Sequence, residues 1–317
     1  MTHFLTGKKV VAFAGGVGGS RLVRGMAAHL TADQLTIIVN TGDDFEHFGL
    51  KISPDFDTML YNLSDVAQPD KGWGIHNDTS NVMAGIKQLN GETWFHLGDR
   101  DLATHLVRTQ LLLEGKTFTQ VCQYLCAQMG VNFQILPMAD EPCRTMVETE
   151  EGLLDFQTYF VKHQWQPKVK GLHWEGSLEP SEAVMDAIRS ADVVVVCPSN
   201  PFVSIEPILN LNGVRDALKD VPVVAMSPII GGMAVKGPAA KMFLELTGKQ
   251  ASVQAVVDFY GGLLDGLVID EVDAELLPEL QQKVAHVGAM PTLMLNRQKQ
   301  IKVGAAFLRF VQTMLEG

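Results

Sequence analysis

The sequence predicts an α/β protein with a Rossmann-like, doubly wound, mainly parallel sheet and a small β-rich insertion. Three observations predict it. Residues 193–197 and 221–226 are continuous apolar runs, as expected for parallel strands buried on both faces. Helical spacing follows the first strand-like run, with Leu22, Met26 and Leu30 on one side of residues 20–30. Strand-like runs close on loops rich in Gly, Asp, Ser and Pro, and strand–helix alternation of this kind makes βαβ crossovers.

In chain order, residues 10–14 form the first strand and end in glycines. Residues 35–40 form a second, stopped by Thr-Gly-Asp-Asp, and 93–97 a third, stopped by Gly98 and Asp99. Helices over 102–114 and 119–128 precede a strand near 132–136. Residues 144–174 break the alternation: segments 145–149, 154–161 and 169–174 surround a Glu-Glu-Gly turn and read as a hairpin region. The expected organisation is a core of residues 1–143 and 183–317, with 144–182 inserted over its mouth and no linker between them. Residues 303–315 read as a closing amphipathic helix.

Composition narrows the class. With 46% hydrophobic and 19% charged residues over 317 positions, the bulk of the chain can bury a core, which excludes disorder. Lys and Arg number 25 against 36 Asp and Glu, a net charge of −11, which argues against nucleic acid or an anionic membrane as partner. The most apolar stretch, 193–197, falls far short of the ~20 residues of a membrane span. Four cysteines are too few for a disulfide framework. Cys122, Cys126, Cys143 and Cys197 read as reduced thiols of a cytoplasmic protein, without zinc-ligand spacing. A homodimer is the expected assembly, being the commonest closed one.

Open α/β sheets bind ligands beyond the carboxyl ends of their strands, so the loops there carry the chemistry. Gly15, Gly16, Gly18 and Gly19 make a strand-to-helix turn whose backbone N–H groups can approach phosphate oxygens, and Arg21 can add a charge-assisted contact. Arg21 stands where a dinucleotide fingerprint has its third Gly, and Asn40 where it has an acidic residue, so the pattern is neither that fingerprint nor a P-loop. Asp43, Asp44, Asp55 and Asp57 fall within 15 positions after the second strand. Carboxylates beside a phosphate loop suit Mg²⁺, which takes hard oxygen ligands and bridges to substrate phosphates. Asp55 also reads as a helix cap and Asp43 as a turn residue, which leaves Asp44 and Asp57 as the functional pair. Asp99 and Asp101 read as caps, while Arg100 between them can face an anion. Asn200 and Ser204 lie in a Pro-bounded loop able to read a base or sugar, and Lys236 is a further phosphate partner.

Taken in order, AGGVGGSRL (14–22), VNTGDDF (39–45), ISPDFDT (52–58), GIHNDT (74–79), LGDRDLATH (97–105), ILPMADEP (135–142), PSNPFVSI (198–205) and SPIIGG (227–232) closely resemble the 2-phospho-L-lactate transferases over nearly the whole chain. The resemblance implies a Rossmann-like core and a late step in making the deazaflavin coenzyme F420. It implies Mg²⁺-dependent transfer of a phospholactyl group, or its phosphoenolpyruvyl or phosphoglyceryl relative. The donor is guanosine diphosphate-linked, the acceptor is the ribityl hydroxyl of 7,8-didemethyl-8-hydroxy-5-deazariboflavin (FO), and GMP leaves. By motif position Asp57 matches the family's FO-contacting Asp, and His96 falls where some relatives carry Lys at an FO contact. The implied roles are then as follows. The four glycines cradle donor phosphates. Asp44 and Asp57 hold Mg²⁺ or position the hydroxyl, with Asp57 orienting it or accepting its proton. Arg100 and Lys236 neutralise charge, and Asn200 and Ser204 contact the guanosine end or FO.

Two other readings belong to different classes. The glycine loop also resembles a gluconeogenesis-linked family of UDP-sugar-binding regulators, which carries a different loop after the second strand. An NAD-dependent oxidoreductase would share the fold but conflicts with Arg21 and Asn40. No residue identifies the acyl group of the donor.

Overall fold

In the computed structural model, residues 4–234 and 238–317 are described. Seven parallel strands form the central sheet: β1 (Val10–Ala14), β2 (Leu35–Val39), β3 (Gln134–Pro137), β4 (Val193–Val196), β5 (Val223–Met226), β6 (Gly266–Asp270) and β7 (His286–Met290). Their order across the sheet is β7-β6-β5-β4-β1-β2-β3. Val10 pairs with Leu35 on one side and Val193 on the other, so the order reverses between β1 and β4. The loops after those two strands diverge there and leave a crevice at the carboxyl ends.

Side chains alternate across the sheet. Val11, Phe13, Val194 and Val196 enter the core layer on one face, and Val10, Ala12, Val193 and Val195 the layer on the other. Both layers are apolar, which is why these strands read as continuous hydrophobic runs. Helices α1 (Gly16–Ala27), α2 (Pro54–Leu63), α3 (Asn81–Gln88), α4 (Asp99–Leu113) and α5 (Phe118–Gln128) lie in the amino-terminal half. The C-terminal helix, Arg297–Glu316, starts earlier than its periodicity suggests, because the Asn296 side chain accepts from the Lys299 N–H at 3.0 Å. None of the described helices is long and apolar enough to cross a membrane.

Three sequence expectations change. Residues 93–97 are not a strand. Trp94, Phe95 and Leu97 pack instead against Phe45, Ile52 and Met83 in a separate small cluster. Residues 154–161 are only partly extended: a strand at Gly152–Asp155 gives way to a π-helical turn at Thr158–Lys162. Strands β6 and β7 and the short hairpin Phe45–His47/Leu50–Ile52 went unread. The hairpin is three residues a side, too short for a periodicity to show.

The region expected as an insertion holds a three-stranded antiparallel sheet of Cys143–Thr149, Gly152–Asp155 and Val169–Gly176. Its Val147, Phe156, Tyr159 and Val169 join the main core layer, which ties it rigidly to the large sheet.

Helix α1 crosses the C-terminal helix where Gly25 faces Gly304. A methyl group on Gly304 would strike the Gly25 carbonyl and the Met26 nitrogen. Gly304→Ala should therefore force the helices apart and destabilise the protein by about 1–3 kcal/mol. A urea midpoint equal to that of the unsubstituted protein would contradict this close packing.

Candidate active site

A cavity of ≈ 680 Å³ opens at the crevice between the β1 and β4 loops. Its floor is the glycine turn. Gly15 precedes α1, and its N–H donates to Ser199 Oγ at 3.2 Å, while that hydroxyl donates to the Gly15 carbonyl at 2.7 Å. The β1 and β4 loops are thereby stitched together at the switch point. Gly16 has φ 60, a conformation that favours glycine, and its N–H donates to Asp55 Oδ1 at 2.6 Å. A side chain at Gly18 would run into the Pro198 carbonyl. Gly15, Gly16 and Gly18 line the cavity, whereas Gly19 does not: it packs beneath, against Ser199 and Ala14. Arg21 lines the cavity, is 9% exposed and has no carboxylate partner among the described residues.

The acidic loop rearranges the expected roles. Asp44 is buried behind the wall. Lys51 Nζ lies 2.9 Å from its Oδ2, and Ser53 Oγ donates to its Oδ1 at 2.8 Å. It does not line the cavity, so its charge is answered within the protein rather than offered to a ligand. Asp43 does line it, and its Oδ1 is buried with no hydrogen-bond partner among the described residues. Burial, then the nearby Asp55 carboxylate, raise the Asp43 carboxyl far above the ordinary range. Asp55 is no simple cap: its oxygens accept from Gly16 N–H and from Asn40 Nδ2 at 2.9 Å. Burial pushes its carboxyl up to about 6 against those two hydrogen bonds. Asn40, where a dinucleotide fold has its acidic residue, thus ties the loops together; its Nδ2 also donates to the Val203 carbonyl at 3.1 Å.

Asp57 lines the cavity from the first turn of α2. Both of its oxygens are gripped from behind by Arg108, with Nη1 3.1 Å from Oδ2 and Nη2 on Oδ1. Arg108 is fully buried on α4. Burial opposes its charge, but the Asp57 carboxylate outweighs that and raises its pKa. Below it on the same helix, His105 lies between Asp57 (Nδ1, 3.6 Å) and Asp101 (Nε2, 3.4 Å), and Tyr61 Oη donates to Asp101 at 2.6 Å. Burial, then the carboxylates of Asp57 and Asp101, keep the Tyr61 hydroxyl protonated far above its usual range. The spacing 101, 105, 108 puts three polar groups on one face of α4, a signal that sequence reading passed over.

The Leu-Gly-Asp-Arg-Asp motif is mainly architectural. Asp78 accepts from the N–H groups of Arg100 (2.9 Å) and Asp101 (3.0 Å) at the start of α4. Asp99 in turn accepts from Asn81 and Val82 N–H, each at 3.0 Å, at the start of α3. Bonds from Thr79 Oγ1 and the Val82 N–H hold the Asp99 carboxyl down at about 2. Arg100 is exposed and does not line the cavity, and among the described residues its side chain reaches only the His76 carbonyl, at 3.4 Å. His96 lines the cavity with Nε2 3.2 Å from Ser80 Oγ. Asn200 and Ser204 line it too, Asn200 Oδ1 accepting from Phe202 N–H at 3.0 Å. Lys236 lies outside the described residues.

Part of the cavity wall is aromatic. Trp73, Trp94, Phe95, Phe156 and Phe160 line it, with Phe156 and Phe160 stacked at 5.4 Å. The last two come from the insertion, whose Lys162 Nζ sits 5.6 Å from the Trp94 ring centroid. The insertion thus closes one side of the cavity.

The sequence profile of 2-phospho-L-lactate transferase CofD matches residues 10–306. A phosphoenolpyruvate transferase of Streptomyces griseus is 40% identical over 296 residues, 90% of this chain and 93% of that protein. A 2-phospho-L-lactate transferase of Methanosarcina mazei is 37% identical over 292 residues, 92% and 96% of the two chains. Among solved structures, a UPF0052-family protein of Bacillus halodurans superposes with a TM-score of 0.62 at 19% identity, covering 97% of this chain and 99% of that one. That likeness speaks for the fold.

The raised Asp55 carboxyl predicts a pH dependence. The folded protein retains a proton there that the unfolded chain, with a value of 3.8, has released. The resulting stability is complete below about pH 4 and is lost as pH rises toward about 6, worth about 3 kcal/mol in all. With EDTA present, Asp55→Asn should gain in urea midpoint relative to the unsubstituted protein as pH goes from 4 to 7. A difference that does not vary with pH would contradict the assignment.

Proposed function

The chain belongs to the 2-phospho-L-lactate transferase CofD family, and from that premise we propose that it transfers a 2-phospholactyl or phosphoenolpyruvyl group from a guanosine diphosphate-linked donor to the ribityl hydroxyl of FO, releasing GMP, in coenzyme F420 biosynthesis. One observation carries the reading. A glycine turn, the Arg21 guanidinium without a carboxylate partner among the described residues, and the unanswered Asp43 oxygen share one cavity with an aromatic wall. The first three suit a diphosphate with a metal ion, and the last suits a planar tricycle.

The residues fit Mg²⁺ first at Asp43 rather than at the Asp44 and Asp57 expected from sequence; Asp55 stands beside it with both oxygens already accepting, from Gly16 N–H and Asn40 Nδ2. Asp43 Oδ1 is buried and unpartnered beside Asp55, both hard oxygen donors. Lys51 already answers Asp44, and Arg108 sits on both oxygens of Asp57. Asp57, Asp101 and His105 do bring ligand atoms within 4.8 Å of one another, yet a dication there would face the fixed charge of Arg108. When bound, the ion would neutralise diphosphate oxygens and the leaving GMP.

The protein's own part is alignment. In the reaction the ribityl oxygen bonds to the acyl-bearing phosphorus as that phosphorus releases the bridging oxygen to GMP. The hydroxyl proton is lost to the departing phosphate or to water. Such transfers need little covalent help, so placement and charge neutralisation supply the rate. Gly16 and Gly18 shape the turn that receives the diphosphate, Arg21 pairs with it, and Asp57 accepts the hydrogen bond of the incoming hydroxyl. The aromatic wall offers the planar acceptor an apolar face to lie against.

Mass spectrometry of FO incubated with protein, Mg²⁺ and each guanosine diphosphate-linked donor should show one phosphoacyl adduct per turnover and stoichiometric GMP. Asp57→Asn should lower the rate by about 100-fold or more. Full transfer by Asp57→Asn, or no adduct with any of the phospholactyl, phosphoenolpyruvyl and phosphoglyceryl donors, would overturn the reading.

A further inference from the structure

Arg108 is the largest fully buried side chain among the described residues, and it does not line the cavity. Its guanidinium is nevertheless one residue away from the proposed reaction. Nη1 lies 3.1 Å from Asp57 Oδ2, 3.0 Å from His105 Nδ1 and 3.3 Å from the Lys51 carbonyl, and Nη2 contacts Asp57 Oδ1. Arginine only donates hydrogen bonds, so a ring nitrogen at 3.0 Å from Nη1 must accept. In this arrangement Nδ1 accepts and the ring proton belongs on Nε2, which lies 3.4 Å from Asp101 Oδ1 and makes no hydrogen bond to any described residue. The Asp101 carboxylate also receives the Tyr61 hydroxyl at 2.6 Å and is thereby kept an acceptor.

We propose that Arg108 is the positioning residue of this site: by gripping both Asp57 oxygens and fixing the His105 tautomer, it holds Asp57 as an oriented, charged hydrogen-bond acceptor toward the cavity. The inference rests on Asp57 receiving the acceptor hydroxyl, as read above. Its content is that Asp57 orients and does not serve as a free base, because each of its oxygens already accepts from a buried cation. Asp57 also lines the cavity, so the clamped carboxylate borders the space that would receive the hydroxyl. A lysine at 108 would keep the charge but lose the two-pronged geometry, since an ammonium is a point donor.

The test is a double-mutant cycle on the full chain with FO, donor and Mg²⁺, comparing Asp57→Asn, Arg108→Lys and the pair. Arg108→Lys should lower kcat by about 10- to 100-fold, with KM for the donor within about twofold. Added to Asp57→Asn it should cost less than about threefold more, because its effect passes through Asp57. Losses that multiply, or an Arg108→Lys rate within about twofold of the unsubstituted protein, would overturn the proposal. Near-full activity of Asp57→Asn would instead sink the reading of the site on which it rests. Should Arg108→Lys fail to fold, ¹⁵N NMR of His105 in the unsubstituted protein still decides. An Nε2–H tautomer supports the clamp, and an Nδ1–H tautomer or an imidazolium refutes it.

Discussion

Four carboxylates within fifteen residues, all at most 6% exposed, crowd the same corner of the fold, and burial makes each of them costly unless its charge is answered. Three are answered from within. Lys51 takes Asp44, the Gly16 N–H and Asn40 amide take Asp55, and Arg108 takes Asp57. The fourth, Asp43, is left with an oxygen that nothing in the described protein satisfies. Burying such a group without a partner costs several kcal/mol, and proteins keep that cost where a ligand removes it. The site is therefore defined less by how many acids it gathers than by which one is unanswered.

The sheet makes this gathering possible. Because strand order reverses between β1 and β4, the glycine turn and the Pro-Ser-Asn-Pro loop leave the sheet side by side, and Ser199 bonds the two. Asp55 reaches back from α2 to Gly16, and the Gln157 amide of the insertion touches the Asp43 carbonyl at 3.4 Å. Four segments far apart in sequence are thus locked to one rim by short polar contacts. A rim built this way is rigid before any ligand arrives, which suits a reaction that depends on alignment more than on covalent help.

Reciprocal capping shows why a motif is not always a site. Asp78 satisfies the start of α4, and Asp99 the start of α3, so two loops each supply the acceptor that the other's helix lacks. Those carboxylates answer backbone donors and leave Arg100 outside the cavity. The same helix nevertheless carries Asp101, His105 and Arg108 inward on its other face. Two acidic residues separated by Arg100, Asp99 and Asp101, therefore serve a cap and a site respectively.

Local pattern was enough to determine the parallel α/β core, the glycine turn after β1 and the acidic loop after β2, because strand burial, turn geometry and residue type are written over a few neighbouring positions. The eight ordered motifs carried the family as well. Tertiary structure alone decided the rest. Asp43 rather than Asp44 faces the cavity because a one-residue step around the turn reverses which carboxylate meets Lys51. Gly19 lies beneath the floor because its α-carbon is turned toward Ser199 and Ala14 rather than toward the cavity. Arg108 meets Asp57 across 51 residues, a pairing that no local spacing encodes. Charge compensation in a buried site is a property of side chains brought together through space, so it becomes visible only when the chain is folded.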